Sequence, residues 1–166
     1  MLLALDLSTT QTGYAVGAPG RRPRWGVFRP GNLTRDERVA YMAASVVQLC
    51  KAMGVTKVVA EQVSVVGKVQ MLSAVALAEC HGAVRYALRP LGLTMATLNL
   101  SSVRAQLGIR EALGIKGAPK KPDVVRWVQA QGYPVTNGDE ADALAIYLAV
   151  ILGKVPTMDP TLKVRA

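Results

Sequence analysis

Three acidic residues of this 166-residue chain stand in segments that otherwise carry no charged side chain. Asp6 is the only charged side chain in the first ten residues, and Glu61 is the only one in the run VVAEQVSVV. Asp142 is the only one in ADALAIYLAVIL. Because an ionised acid is costly to bury without a partner, carboxylates kept in three such apolar segments indicate chemistry rather than packing.

A fourth acid, Asp139, stands three residues before Asp142, and positions three apart are neighbours on one face of a helix. Asn137 and Glu140 are suited to cap the start of that helix, which leaves the two aspartates to face a common site. Taken singly, each acid has an ordinary explanation as a turn residue, a cap or one half of a salt bridge. Taken together, on elements that the strand order brings side by side, they predict one acidic centre.

Four converging carboxylates repel one another unless a cation lies among them. Oxygen ligands select hard ions, which predicts Mg²⁺ with Mn²⁺ able to substitute. A pair of such ions, roughly 3.5–4 Å apart, suits phosphodiester hydrolysis, one activating water and the other stabilising the leaving oxygen. Zinc binding and nucleophilic catalysis are not indicated, because His81 is the only histidine and Ser8 and Ser64 have no neighbouring base. The candidate catalytic residues and metal ligands are Asp6, Glu61, Asp139 and Asp142.

The chain is strongly basic, with 20 Lys and Arg against 11 Asp and Glu and a formal net charge of +9. Such a balance favours a polyanionic partner, although a basic surface that only maintains solubility gives the same composition. Composition does not separate DNA from RNA. The candidate DNA-binding residues lie late in the chain, in or near a Gly/Lys/Pro-rich stretch: Arg104, Lys116, Lys120 and Lys121.

Apolar periodicity and turn residues place the acids on a defined order of elements. Strands are predicted at 1–7, 12–16, 25–28, 57–63 and 93–98. Helices are predicted at 34–53, 68–88, from 101, at 123–131 and at 138–152, with a loop at 113–122. Three antiparallel strands followed by strands that alternate with helices predict an α/β fold with a mixed five-stranded sheet flanked by helices. This order resembles that of ribonuclease H-like proteins.

The length fits one domain over residues 1–153, followed by a tail over 154–166. Cys50 and Cys80 have neither zinc-ligand spacing nor the density of a secreted disulfide framework, so both are predicted to be reduced thiols. The sequence predicts no signal peptide and no membrane span. We therefore expect a cytoplasmic protein without membrane contact.

Three segments resemble the RuvC family of Holliday-junction resolvases. The run LALDLSTTQTGYAV resembles the family's first hairpin, whose first strand ends in a catalytic Asp. The run AEQV around Glu61 resembles the Glu-Gln signature of the fourth strand, and DEADALA, beginning at Asp139, resembles the closing Asp-x-x-Asp segment. The resemblance covers about residues 2–150, with the three segments in the family's order and spacing.

The resemblance implies a ribonuclease H-like nuclease whose four acids bind two metal ions and which nicks a four-way DNA junction symmetrically. It places Arg104 and Lys120 or Lys121 near the family's functional basic positions. It also implies a homodimer formed through the long helix after Glu61, which could otherwise be a core helix of a monomer. The small residues that would allow close helix approach are Ala74, Ala76, Ala78, Gly82 and Ala83.

The sequence departs from the family at one point and leaves other functions open. Bacterial members carry an aromatic residue soon after the Glu-Gln pair, whereas VSVVG follows here, so the means of opening a junction is not predicted. A nuclease acting mainly on other branched DNA or on RNA would keep the same acids. Sugar-kinase and actin-like ATPases have a first hairpin similar to DLSTTQTG, but they use two such domains and no Asp-x-x-Asp pair. A branch-migration partner is neither indicated nor excluded.

Overall fold

The chain folds into a five-stranded mixed sheet with helices on both faces. The structure is a computed structural model that describes residues 1–63 and 71–154. For residues 71 and 72 it describes only the backbone. The strands are β1 Leu2–Asp6, β2 Thr12–Gly17, β3 Arg24–Phe28, β4 Lys57–Glu61 and β5 Met95–Leu98. The helices are α1 Arg35–Met53, α2 Met71–Leu88, α3 Leu100–Gln106, α4 Ile109–Leu113, α5 Lys121–Ala130 and α6 Gly138–Ile151. Within these ranges, no helix is both long and apolar enough to cross a bilayer.

The strands lie in the order β3-β2-β1-β4-β5. β2 is antiparallel to both β1 and β3, whereas β4 is parallel to both β1 and β5. β1 is therefore a central strand, and all five of its residues are buried, as an apolar run in the middle of a covered sheet requires. The predicted α/β fold with a mixed five-stranded sheet is confirmed.

The sheet separates two hydrophobic clusters. Leu2 and Ala4 of β1 pack in the cluster that contains α3, α4, α5 and α6, whereas Leu3 and Leu5 pack in the cluster of α1 and α2. Side chains alternate along a strand, so Asp6 projects on the same face as Ala4, towards α6. The same argument places Glu61 on that face, because Val59 of β4 also packs in the α6 cluster.

Side chains cap the two helices for which the sequence predicts caps. The Thr34 hydroxyl accepts the amide of Glu37, and the Glu37 carboxylate accepts the amide of Thr34 at 2.8 Å, forming a capping box at α1. At α6, the Asn137 side-chain oxygen accepts the amides of Asp139 and Glu140 at 3.1 and 2.9 Å. The cap of α6 therefore does not use the Asp139 carboxylate.

The predicted loop 113–122 is too long at both ends. A helix that the sequence does not predict, α4, runs over Ile109–Leu113, and α5 begins at Lys121 rather than at residue 123. α4 has only five residues between Gly108 and Gly114, both in left-handed conformation, so it is too short to show apolar periodicity. The predicted strand 57–63 is two residues too long, because β4 ends at Glu61. The predicted helix start at 68, the non-aromatic run 64–67 and the tail beyond 154 lie outside the described residues.

Replacing Gly13 by alanine is expected to destabilise the protein strongly. Gly13 pairs with Asp6 across the β1–β2 ladder, and a Cβ there would lie 2.0 Å from the backbone carbonyl oxygen of Asp139. The Cβ position is fixed by the backbone of β2, and the oxygen belongs to the backbone of α6, so neither atom can rotate away. The start of α6 would have to move away from the sheet, and overpacking of this kind costs about 1–3 kcal/mol or more. We expect urea denaturation to show a loss of at least about 2 kcal/mol in the free energy of unfolding.

The matched control is the same substitution at Gly82 of α2, where a Cβ would meet nothing within 4 Å in the same chain, measured at a protein concentration low enough to keep the chain monomeric. In a helix this change is expected to stabilise by up to about 1 kcal/mol. A similar loss at both positions would contradict close approach of α6 as the cause.

Candidate active site

The four predicted acids meet at one end of the sheet. Asp6 and Glu61 are the last residues of β1 and β4, and the pairing of Leu5 with Ala60 places them side by side. Asp139 and Asp142 lie in the first turns of α6, whose start packs against β2 at Gly13. The absence of a side chain at Gly13 lets the backbone of α6 come close enough to bring its acids beside Asp6.

Burial sets the electrostatics of this acidic cluster, which comprises Asp6, Glu61, Asp139 and Asp142. Asp6 is 5% exposed and Asp142 is fully buried. Burial raises the pKa of Asp6 well above its ordinary value; the Lys121 ammonium opposes this, and the charges of Asp142 and Glu61 add to it. Burial likewise raises the pKa of Glu61 and that of Asp142, the latter against the effect of Arg104. Carboxyl groups whose pKa values are raised by burial and by neighbouring acids are typical of functional sites.

Lys121 supplies positive charge within the acidic cluster. Its Nζ lies 3.2 Å from Oδ2 of Asp6, 2.5 Å from Oδ1 of Asp139 and 3.7 Å from Oδ2 of Asp142. Burial alone would lower the pKa of Lys121, but these carboxylates raise it above its ordinary value. The sequence predicts Lys121 as a DNA-binding residue near a flexible loop; the structure places it at the start of α5 and among the acids.

Arg104 of α3 pairs with the most deeply buried acid of the cluster. Its Nη2 donates to both carboxylate oxygens of Asp142, at 2.8 and 3.0 Å, and only 15% of its side chain is exposed. Its Nη1 donates to the backbone carbonyl of Pro119 at 2.9 Å. Arg104, also predicted to bind DNA, therefore orients Asp142 and fixes the segment between α4 and α5 to the site.

The other two predicted DNA-binding residues, Lys116 and Lys120, are exposed in the segment between α4 and α5. In the part of the chain that the structure describes, neither ammonium group forms a salt bridge. The structure thus divides the four predicted basic residues into two that contact the acidic cluster and two that face solvent beside it.

Sequence reasoning missed two residues that hold Asp139. Gln11, in the turn between β1 and β2, donates from Nε2 to Oδ2 of Asp139 at 2.6 Å. Arg29 in turn donates from Nε to Oε1 of Gln11 at 2.7 Å. The only sequence signal for Gln11 is its place inside the hairpin segment LALDLSTTQTGYAV, and Arg29 gives none because it lies outside all three family-like segments.

The donor set of the acidic cluster suits a hard divalent cation, because it consists of carboxylate oxygens alone. Within residues 1–63 and 71–154, however, no three acidic, histidine or cysteine side chains are arranged so that one ion could bind them together. The Lys121 ammonium, within hydrogen-bonding distance of Asp6 and Asp139, provides the positive charge instead. The four carboxylates therefore fit such an ion by their chemistry, and in this structure they are arranged around the Lys121 ammonium.

His81 lies in α2 on the other side of the sheet and is no part of the acidic cluster. It is 5% exposed, and its Nε2 has no hydrogen-bond partner among the described residues. Burial, with a smaller contribution from the charge of Arg85, lowers the pKa of His81 to about 4 from 6.5. His81 is therefore a buried side chain of the α1–α2 layer.

Because its pKa is lowered in the folded chain, His81 is expected to lower the free energy of unfolding in mild acid. Between about pH 6.5 and pH 4 the unfolded chain binds a proton at His81 that the folded chain does not, so this contribution to stability falls as the pH falls through that window. The loss reaches at most about 3 kcal/mol at the acidic end. Urea denaturation of wild type and His81→Gln at several pH values should show a flatter acid limb in the variant, and parallel curves would contradict the depressed pKa.

The strand order β3-β2-β1-β4-β5, with β2 antiparallel to its neighbours, is that of a ribonuclease H-like fold. No protein-family model matches the sequence, and no curated protein matches it. Among solved structures, the chain is similar to Thermus thermophilus RuvC in complex with a Holliday junction substrate, with a TM-score of 0.65 and 20% identity over 95% of this chain and 99% of that chain. A second structure of RuvC from the same organism gives a TM-score of 0.59 and 19% identity over the same shares. The chain therefore has the RuvC fold, as the resemblance of its sequence segments implies.

Proposed function

We propose that this protein is an endonuclease that resolves four-way DNA junctions by metal-dependent hydrolysis of phosphodiester bonds. The observation that carries the proposal is the meeting of Asp6, Glu61, Asp139 and Asp142 at one end of the sheet of a RuvC fold. The RuvC structure that contains a Holliday junction substrate supports a branched DNA as the substrate here.

In this proposal Asp6, Glu61, Asp139 and Asp142 would hold two divalent ions. Mg²⁺, or Mn²⁺ in its place, would supply Lewis-acid stabilisation of the phosphate and activation of the attacking water. Arg104 fixes the orientation of Asp142 through its two hydrogen bonds, and Gln11 does the same for Asp139 through one. Lys121, half of whose side chain is exposed, is placed to donate to a substrate phosphate at the edge of the cluster.

The surface beside the cluster supports binding of a polyanion. Lys116 and Lys120 are exposed in the segment that Arg104 fixes to the site through Pro119. Together with the formal net charge of +9, they favour contact with the phosphates on either side of the cleaved bond. Such contacts position a strand without reading its sequence.

The exposed face of α2 supports a homodimer. Val75 and Tyr86 are 46% and 75% exposed, and the small residues Ala78 and Gly82 lie between them on the same exposed face. A second copy packing there would place two active sites in one assembly, as paired nicking of a four-way junction requires. Light scattering coupled to size exclusion should then give about twice the chain mass of 17.6 kDa.

The domain and compartment assignments belong to the same proposal. Residues 1–153 form the nuclease domain and 154–166 a tail. A cytoplasmic location is supported by Cys50 and Cys80, which are both buried free thiols in the described structure.

The test is cleavage of labelled substrates by the purified protein: a four-way junction, a linear duplex, a flap and an RNA–DNA hybrid, each with Mg²⁺, with Mn²⁺ and with chelator. We expect paired, symmetric nicks in the junction that require a divalent ion. Preference for the flap or the hybrid would keep the nuclease and change its substrate. Binding without cleavage under every metal condition would contradict an active enzyme.

A further inference from the structure

A cavity of about 480 Å³ lies on the α1–α2 side of the turn between β1 and β2. Leu7 forms part of its wall, and Leu7 packs in the α1–α2 cluster, opposite to Asp6 on the strand. The described residues that line it include no acid. Its polar lining consists of two arginines and four hydroxyl side chains: Arg35, Arg38, Ser8, Thr9, Thr10 and Ser73.

The arginines of this cavity have hydrogen-bonding capacity that the described residues do not use. The Nε of Arg38 is buried and has no hydrogen-bond partner among them, and no salt bridge to Arg38 occurs there either. Arg35 pairs through Nη2 with Glu79 of α2 at 2.6 Å. Five N–H donors of a guanidinium form a fork that suits a phosphate, and a buried N–H without a partner is costly.

Two of these hydroxyl groups, those of Ser8 and Thr10, are held in place by the turn itself. The hydroxyls of Ser8 and Thr10 lie 3.1 Å apart, and the amide of Thr10 donates to the Ser8 hydroxyl at 3.2 Å. The Thr12 hydroxyl closes the turn by donating to the carbonyl of Ser8 at 2.9 Å. The cavity wall is therefore preorganised on the strand side, which lowers the entropic cost of binding an anion.

The same turn borders the acidic cluster on its other side. Gln11, one residue after Thr10, holds Asp139, and Asp6 stands two residues before Ser8. A nucleic-acid strand that crosses this turn therefore has the acidic cluster on one side and the arginine-lined cavity on the other.

We propose that this cavity is a second phosphate subsite, in which Arg38, with Arg35 and the hydroxyls of the turn, binds a backbone phosphate of the strand near the cleaved bond. The subsite rests on the proposed nuclease function and adds a contact that the four acids do not provide. Because the contact is to phosphate, it contributes affinity and position rather than sequence preference.

The test is binding of a fluorescently labelled four-way junction in chelator, followed by anisotropy over about 50–200 mM salt. Arg38→Gln is expected to reduce the slope of log K against log salt by about 1 and to weaken binding about tenfold at low salt. Arg38→Lys keeps the charge and should recover most of the slope. The matched control is Lys51→Gln, an exposed cation near the other end of α1, about 20 Å along the helix from Arg38, which should leave the slope unchanged.

The outcomes separate the subsite from the nuclease. If wild type binds the junction and Arg38→Gln has an unchanged slope, the subsite is refuted and the proposed function stands. If wild type does not bind the junction at all, the proposed function fails and the subsite with it. Arg38-dependent binding of inorganic phosphate with an unchanged junction slope would assign the cavity to a free phosphate and overturn the strand contact. If Arg38→Gln does not fold, Arg35→Gln, at a side chain 46% exposed, carries the same test.

Discussion

Replacing Asp6 by asparagine is expected to remove most nuclease activity and, at the same time, to make the metal-free protein more stable. Asp6 is 5% exposed and shares the acidic cluster with Glu61, Asp139 and Asp142. We expect the cleavage rate to fall on the order of 100- to 1,000-fold, the loss typical of removing one group that stabilises charge in a transition state. Junction binding in chelator is expected to persist, because the arginines and lysines that we propose to contact phosphate are unchanged.

The gain in stability follows from the sign of the pKa shift. Burial, and then the charges of Asp142 and Glu61, raise the pKa of Asp6 well above its ordinary value, in excess of the opposing effect of Lys121. A group whose folded-state pKa is raised lends stability below its unfolded pKa and costs stability once it is ionised at neutral pH. The uncharged amide avoids that cost, so the thermal midpoint of Asp6→Asn in chelator should exceed that of wild type at pH 7.

The control for Asp6→Asn is Glu111→Gln, which also converts a carboxylate into an amide but in an exposed ion pair with Arg110. It is expected to change neither the cleavage rate nor the thermal midpoint appreciably. A variant Asp6→Asn that cuts at the wild-type rate would refute the catalytic assignment. A variant that is inactive and markedly less stable would instead make Asp6 a structural residue.

Replacing Arg104 by methionine is expected to give the largest loss of stability among the single changes at the site. Asp142 is fully buried, and Arg104 donates to both of its carboxylate oxygens. Removing one partner of a buried ion pair leaves an uncompensated charge and costs roughly 3–5 kcal/mol. The lost hydrogen bond to the Pro119 carbonyl adds to this effect. Urea denaturation should show the loss as a lower midpoint with an unchanged slope.

Two further variants identify the source of that loss. In the double variant Arg104→Met, Asp142→Asn the buried charge is gone, so part of the lost stability should return. Arg126→Met breaks an exposed pair with Asp123 and is expected to alter the free energy of unfolding little. If Arg104→Met costs no more than Arg126→Met, the Arg104–Asp142 pair does not stabilise the site.

The fold was predictable from the sequence where patterning is strong and elements are long. β1 is buried along its whole length, so its apolar run could not be mistaken for a surface segment, and α1 carries both a capping box and a terminal glycine. α4 was not predictable, because five residues between two glycines show no helical period. The end of the loop was misplaced because Lys121 and Pro122 resemble loop residues, although proline is well suited to the first turn of a helix.

The acids of the site were predictable because each is a charged residue in an apolar segment, and this contrast can be seen in the sequence itself. The cations were harder to assign. Arg104 and Lys121 have the same composition signal as Lys116 and Lys120, and only the packing of α3 and α5 against α6 separates those that pair with acids from those that face solvent. Gln11 and Arg29 act through contacts between distant segments, which a single sequence does not reveal.

The division of the core by the sheet also determines which spectroscopic signals report on which half of the molecule. The chain has two tryptophans, and both Trp25 and Trp127 pack in the cluster of α5 and α6. Trp25 meets Tyr133 edge to face at 5.6 Å. Tryptophan emission therefore reports on the layer that carries Asp139 and Asp142. Far-ultraviolet circular dichroism also contains the signal of the two longest helices, α1 and α2, on the opposite face.

Coincident unfolding transitions by the two methods would mean that both layers unfold as one unit. An earlier transition in dichroism would mean that the α1–α2 layer opens while the layer of α5 and α6 is still folded.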